Sequence, residues 1–224
     1  MSVLEMVAVD IETTGFNLNE EVTVIGFELE LGCRVFLQTD GRCVDGGAVE
    51  EAVRERMGRH IVVSTHESEH GLLVAVWEFV SDRLRGEDVM LVGYNAETWN
   101  GGFDLPFLRS RCAAQDVPWL FTDLPYADLL PVATDLFNTT VAGESRSDLE
   151  SAYAAMCGVE LNDADPFADS EQAVAAFQDG EFAALVTHNA ADIMRTGAIG
   201  QVAKQYCSKS DFDLKSLTPV VEDA

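Results

Sequence analysis

Residues 3–10 form a near-continuous apolar run broken only by Glu5, and the run ends in Asp10-Ile11-Glu12. This is the pattern of a β-strand buried on both faces, and such a strand needs packed layers on either side of it. Side chains two apart on a strand point the same way, so Asp10 and Glu12 are expected side by side where the strand ends. Two anions held together repel unless a cation joins them, and a hard divalent ion takes oxygen ligands of this kind. On this pair alone, a strand ending in solvated acids is an equal alternative.

Solvated acids are abundant here, with 39 Asp plus Glu against 14 Lys plus Arg and a formal net charge of −25. Only Lys204, Lys209 and Lys215 are lysines. Yet 47% of the 224 residues are hydrophobic, so the chain can build a core and is no disordered acidic tail. The balance excludes a generally basic nucleic-acid-coating protein and argues against attraction to anionic lipid surfaces. An acidic surface could serve to capture cations or basic partners. The acids are instead scattered along the whole chain, which resembles proteins of salt-loving microbes. At about 1 M salt, like-charge repulsion is screened over roughly 3 Å.

Five cysteines without a C-x-x-C pair read as reduced thiols in a cytoplasmic protein rather than a disulfide framework. The N-terminal segment lacks the basic region of a signal peptide. The longest apolar stretch, Leu72 to Val80, is interrupted by Glu78 and falls short of the roughly 18 residues of a membrane span.

Val22 to Leu31 and Cys33 to Thr39 read as two strands of a hairpin reversing at Gly32, and Ile61 to Val63 is too short to type. Ser68 caps an expected helix with apolar residues at 72, 73, 76, 80 and 84. Val89 to Val92 reads as a short strand. Helices are expected over 105–114, with Pro106 in the first turn, and over 129–137. Ser147 to Glu150 reads as a capping box opening a further helix. A short helix capped by Ser170 and a long one over 181–206 complete the pattern. Strands first, then helices alternating with a strand, predict an α/β domain with a mixed sheet.

Two further segments carry chemistry. Gly93-Tyr94-Asn95 is followed, after an insert at 96–102, by Phe103-Asp104-Leu105-Pro106-Phe107-Leu108-Arg109. Asp104 stands at an expected helix start, where a plain N-cap is its simplest role. In the last helix His188 and Asp192 are four apart and share a face with apolar company. A buried histidine is commonly a satisfied core residue, but a buried aspartate needs a partner or a metal.

Taken together these residues resemble the DEDD superfamily of 3′–5′ exonucleases, over about residues 3–206. Asp10 and Glu12 resemble the family's Asp-x-Glu. The Gly-Tyr-Asn and Phe-Asp-Leu-Pro-Phe-Leu pieces resemble the exonuclease domain of family B DNA polymerases. The third motif departs from the family, placing His188 at the spacing otherwise used by tyrosine. The resemblance implies a ribonuclease H-like fold, a mixed five-stranded sheet flanked by helices, over residues 1–210, with 211–224 an acidic tail. It implies two divalent cations, Mg²⁺ or Mn²⁺, on Asp10, Glu12, Asp104 and Asp192, with His188 the base or the orienter of the water. The substrate would be a single-stranded DNA or RNA 3′ end. Thr13, Asn95, Trp99, Phe103 and Arg109 would contact it, Trp99 by stacking from the insert. Arg111, Arg146 and Arg195 are further candidates for phosphate contact, and Asp128 would stand just behind the ligands. With no polymerase region in view, the enzyme is expected to act alone.

Two other functions compete. A ribonuclease H-like module could bind nucleic acid or a partner without cutting. His66-Glu67-Ser68-Glu69-His70 matches the zinc-protease pattern, whose two histidines must share one helical face with Glu67 as base. Here the match straddles an expected helix start.

Overall fold

The computed structural model describes residues 4–97, 103–141 and 143–220. The first strand, β1 (Glu5–Thr13), pairs antiparallel with β2 (Val22–Leu29), and β2 with β3 (Gly32–Gln38). Helix α1 (Gly46–Met57), which the sequence reading did not foresee, leads into β4 (Ile61–His66), parallel to β3 at one edge. After α2 (Glu69–Arg83) the chain crosses to β5 (Val89–Gly93), parallel to β1. Helix α3 (Asp104–Gln115) returns it to β6 (Pro125–Asp128), parallel to β5.

The remainder is mostly helical: α4 (Leu129–Leu136), a small β7 (Thr140–Val141) and β8 (Glu144–Ser145) pair, α5 (Leu149–Met156), α6 (Glu160–Ala164), α7 (Ser170–Asp179) and α8 (Phe182–Tyr206). The chain then adds β9 (Lys215–Ser216) antiparallel to β6. The sheet order is β4-β3-β2-β1-β5-β6-β9. It has seven strands where five were expected, because β4 extends one edge and β9 the other. Within the expected tail of 211–224, the described residues 211–220 are not simply a tail, since β9 joins the sheet and Phe212 and Leu217 are buried.

Strand alternation divides β1 between two layers. Val7, Val9 and Ile11 pack with Leu72, Leu73 and Val76 of α2 and with Leu105 and Leu108 of α3. Met6 and Ala8 face the opposite layer with Ile199 and Ala203 of α8. Asp10 and Glu12 continue the Met6–Ala8 side and so meet α8. Gly26 lies opposite Asp10 in the β1–β2 register and admits α8 closely, and on α8 itself the missing Cβ of Gly197 leaves room for the Glu28 carboxylate of β2.

Local signals were partly misplaced. Ser68 caps α2 as expected, accepting from Gly71 N. The cap of α5 is Asp148 rather than Ser147, and that of α7 is Asp169 rather than Ser170. At the β4 edge, Val63 N donates to Glu50 Oε2 at 2.9 Å, which blunts one backbone group against further strand pairing. The five cysteines are free thiols, and no helix among the described residues is long and apolar enough to cross a membrane.

Candidate metal centre

The centre forms where β1 runs beyond its partner β5. Their pairing ends at Ala8 and Val92, whereas β1 continues to Thr13, so a crevice opens past the carboxyl ends of these parallel strands, a common ligand position in α/β sheets. A cleft of about 360 Å³ lies there, lined by Asp10, Glu12, Asp104, His188 and Asp192 with Phe16 and Phe103. Asp10 and Glu12 enter from the strand and Asp104 from the first residue of α3. The cap position of α3 is Phe103, without a side-chain cap bond, so Asp104 does not serve as an N-cap. His188 and Asp192 come from adjacent turns of α8.

Electrostatics tie these groups into one unit. Burial raises the Asp10 pKa well above the carboxylate range, and the charges of Asp104, Asp192 and Glu12 raise it further. Glu12 is pushed up to about 8 by burial, with His188 opposing. Burial likewise raises Asp104, helped by Glu12, Asp128 and Asp192. Asp192 is raised by burial against the counter-charges of His188 and Arg195. For His188, burial alone lowers the pKa, but Glu12, Asp165 and Asp192 outweigh it and lift the imidazole to about 10. Mutually repelling carboxylates of this kind, Glu12 buried and the three aspartates half-buried, are a cation's donor set, so the residues fit divalent metal.

Glu12, His188 and Asp192 offer ligand atoms within 4.8 Å of one another, the one such group among the described residues. His188 thus joins the potential ligands, where only carboxylates were expected. Its Nε2 faces Glu12 Oε1 at 3.9 Å and Asp192 Oδ2 at 3.7 Å. Its Nδ1 is bound by Asp165 at 2.8 Å. Arg195 donates to Asp192 Oδ1 at 2.5 Å and to Asp165 Oδ2 at 2.7 Å. Asn189, fully buried, donates to Asp10 Oδ2 at 2.9 Å, leaving its own Oδ1 without a hydrogen-bond partner.

Asp165 and Asn189 were not singled out from sequence. Asn189 adjoins His188, and that was its one signal. Asp165 lies in a polar loop before Pro166, one acid among 39.

Of the residues expected to touch substrate, Thr13, Asn95 and Phe103 line the cleft. Thr13 Oγ1 donates to the Gly15 carbonyl at 2.9 Å. Phe103 packs 4.7 Å from Phe107 and edge-on to Phe16 at 4.9 Å, and Phe16 is 62% exposed. Sequence reading missed Phe16. Trp99 lies outside the described residues. Arg109 does not line the cleft. It stands over the Trp119 ring, 5.2 Å from its centroid. Arg111, Arg146 and Arg195 are each engaged in ion pairs, with Glu69, Glu144 and the Asp165–Asp192 pair.

Asp128 is close enough to raise Asp104, but both its oxygens are occupied. Oδ1 accepts from the Asn95 and Leu130 amides at 2.8 and 2.9 Å. Oδ2 accepts from the Ala96 and Glu97 amides at 2.9 and 3.2 Å. It therefore shapes the turn that presents Asn95, which adopts φ +58°.

The zinc-protease pattern dissolves in the fold. His66 ends β4, stacked on Phe36, while His70 lies in the first turn of α2 against the Gln115 carbonyl. The two histidines do not share a helical face, and Glu69 rather than Glu67 is the buried acid, paired with Arg111. No protein-family model matches this chain, and no curated protein matches it.

Proposed function

We propose that this protein is a metal-dependent 3′–5′ exonuclease of the DEDD type, with a ribonuclease H-like core, acting on single-stranded DNA or RNA in the cytoplasm. The observation that carries the reading is the convergence of Asp10, Glu12, Asp104, His188 and Asp192, from three distant segments, on one cleft. The contiguous strands β3-β2-β1-β5-β6 also supply the mixed five-stranded sheet the reading requires.

Asp10, Glu12, Asp104 and Asp192 would hold Mg²⁺ or Mn²⁺, with His188 within reach of the same group. Bound there, two such ions would supply a water of lowered pKa and a counter-charge for the leaving 3′ oxygen of an in-line displacement at phosphorus. With the carboxylate charges that raise the imidazole offset by bound cations, His188 would present Nε2, the ring nitrogen that faces Glu12 and Asp192, to take the water's proton. Phe16 and Phe103 offer an aromatic wall on which the terminal base stacks, a contact every base can make. With few free cations at the cleft, affinity for the phosphate backbone rests little on salt-sensitive charge pairing.

The ion pair that Arg195 makes with Asp192 favours one second reading, a ribonuclease H-like module that binds nucleic acid without cutting it. End-labelled DNA and RNA oligonucleotides, digested with Mg²⁺ or Mn²⁺ across a KCl series, decide between them. Stepwise shortening from the 3′ end is expected, and it is abolished in Asp104→Ala. Binding without product in either metal selects the second reading, and undiminished turnover in Asp104→Ala sinks the site assignment.

A further inference from the structure

The carboxylates and His188 account for metal and base, but they leave open what holds the imidazole. We infer that Asp165, from the loop between α6 and α7, is a positioning residue that fixes the ring and proton of His188 so that Nε2 faces the reacting centre. The inference rests on the exonuclease reading above and adds to it an acid outside the four carboxylates.

The geometry is a closed set of contacts. His188 Nδ1 lies 2.8 Å from Asp165 Oδ1 and 3.0 Å from Oδ2, so the carboxylate straddles the ring nitrogen. Asp165 is itself immobilised. Oδ1 accepts from the Phe167 amide at 3.0 Å and Oδ2 from Arg195 Nη1 at 2.7 Å. Arg195, 1% exposed, spends its other donors on Asn162 Oδ1 at 2.9 Å and the Leu161 carbonyl at 3.2 Å. Phe167 closes one side of the imidazole, edge-on at 5.4 Å between centroids.

An ionised carboxylate only accepts hydrogen bonds, so the proton between the two groups belongs to Nδ1. Nε2 is then the nitrogen turned to the reacting centre, where it faces Glu12 at 3.9 Å and Asp192 at 3.7 Å. A histidine partnered in this way is held in one tautomer and orientation. Asp165, held ionised by His188 and Arg195, stays beside the ring as its counter-charge. Arg195 bridges Asp165 and Asp192, so the loop that aims the base is fastened to the helix that carries a candidate ligand.

A bland alternative is that Asp165 merely closes the turn at Phe167. The two roles separate in Asp165→Asn, which keeps the size and an oxygen for the Phe167 amide but removes the negative charge that faces His188 Nδ1. As a positioning residue, Asp165 predicts a kcat fall of about 10²- to 10⁴-fold. KM for the oligonucleotide should change by less than about 3-fold, since Asp165 does not line the cleft.

A second readout needs no turnover. In protein labelled with ¹⁵N-histidine, the proton on His188 Nδ1 should resonate far downfield of the amides, as a proton shared with a buried carboxylate does. It should vanish in His188→Gln and in Asp165→Asn. Absence of that resonance from the wild type, its persistence in Asp165→Asn, or a kcat within about 3-fold of wild type overturns the role while leaving the exonuclease reading intact. A kcat loss that disappears after correction for folded fraction overturns it as well. Wild-type protein that cuts no oligonucleotide overturns both.

Discussion

Gly26 and Asn189 are fitted to each other: a Cβ at Gly26 would lie 2.0 Å from Asn189 Oδ1. Asn189 reaches this place from α8 and, from it, donates to Asp10, the neighbour of Gly26 across the β1–β2 ladder. Gly26→Ala should therefore act on the centre as well as on the strand. The expected loss is about 1–3 kcal/mol, typical of overpacking in a filled core. Thermal denaturation in matched KCl measures it, and Gly26→Ala/Asn189→Ala should recover part of the loss. A single variant as stable as wild type would contradict the fit.

Divalent cations should stabilise the protein, and one substitution should reverse part of the need for them. Asp10, Glu12, Asp104 and Asp192 are raised by burial and by one another. Asp104→Asn removes one repelling charge, so its metal-free Tm should exceed that of wild type. Wild type at Mg²⁺ near 100 times its dissociation constant should gain about 2.7 kcal/mol, and the variant distinctly less. Equal metal-induced shifts in calorimetry would detach Asp104 from the centre.

At the opposite end of β1 a larger groove of about 830 Å³ includes Glu28, whose carboxyl burial lifts to about 7, with Arg59 opposing. In the unfolded chain a glutamate titrates near its ordinary value, about 4.3. The folded state thus binds this proton more tightly. Its contribution is fully present below the unfolded value and is lost as pH rises to about 7. Glu28→Gln should flatten that stretch of the stability curve and be more stable than wild type above it, by on the order of 2 kcal/mol. Urea midpoints of the two proteins between pH 4.5 and 8 test this, and parallel curves would refute it.

Glu69 is 2% exposed and joins three elements, accepting from Val22 N at 2.9 Å, from Arg111 Nε at 2.8 Å and from Gln115 Nε2 at 2.7 Å. Arg111 in turn donates to the Leu18 carbonyl at 3.2 Å, in the loop that carries Phe16. Glu69→Ala strands a buried guanidinium and should cost about 3–5 kcal/mol. Denaturant unfolding measures the cost, and a loss under about 1 kcal/mol would mean that the pair is solvated.

Phe16→Ala tests the aromatic wall without touching the carboxylates. Because the ring is 62% exposed, stability should change little. Removing a stacked base should weaken oligonucleotide binding by about 1–3 kcal/mol, seen as a raised KM with kcat largely kept. An unchanged KM would mean that the base lies elsewhere.

The parts of the fold governed by local periodicity were legible in the sequence. The apolar run at β1, the β2–β3 hairpin and the helical spacing of 72–84 depend on short-range pattern, and each element formed within a few residues of its expected place. The pairs Asp10–Glu12 and His188–Asp192 were legible because strand and helix geometry fix which residues share a side, whereas Asp104 was set beside them by the family resemblance alone. Helix α1 was not, since Gly46, Gly47 and only two buried residues, Val49 and Val53, give it a weak apolar face. β9 was missed because two residues hold no periodicity, and their pairing is decided by β6, some 90 positions earlier. Asp165 was hidden for a related reason: its role depends on a partner 23 positions later, and in an acid-rich chain nothing local separates it from solvated neighbours. Arg109 misled because a phosphate contact and a stack on Trp119 ask for the same residue.

The Asn189–Asp10 hydrogen bond spans 179 positions of chain. Closing so long a loop costs entropy that only later contacts return. During synthesis β1 and its acids emerge first and must wait for α8, so a partly made chain has an acidic strand end but no assembled cleft. On the proposed reading, divalent ions would find their full donor set in the completed domain alone, so that acquiring them would mark the end of folding rather than its start.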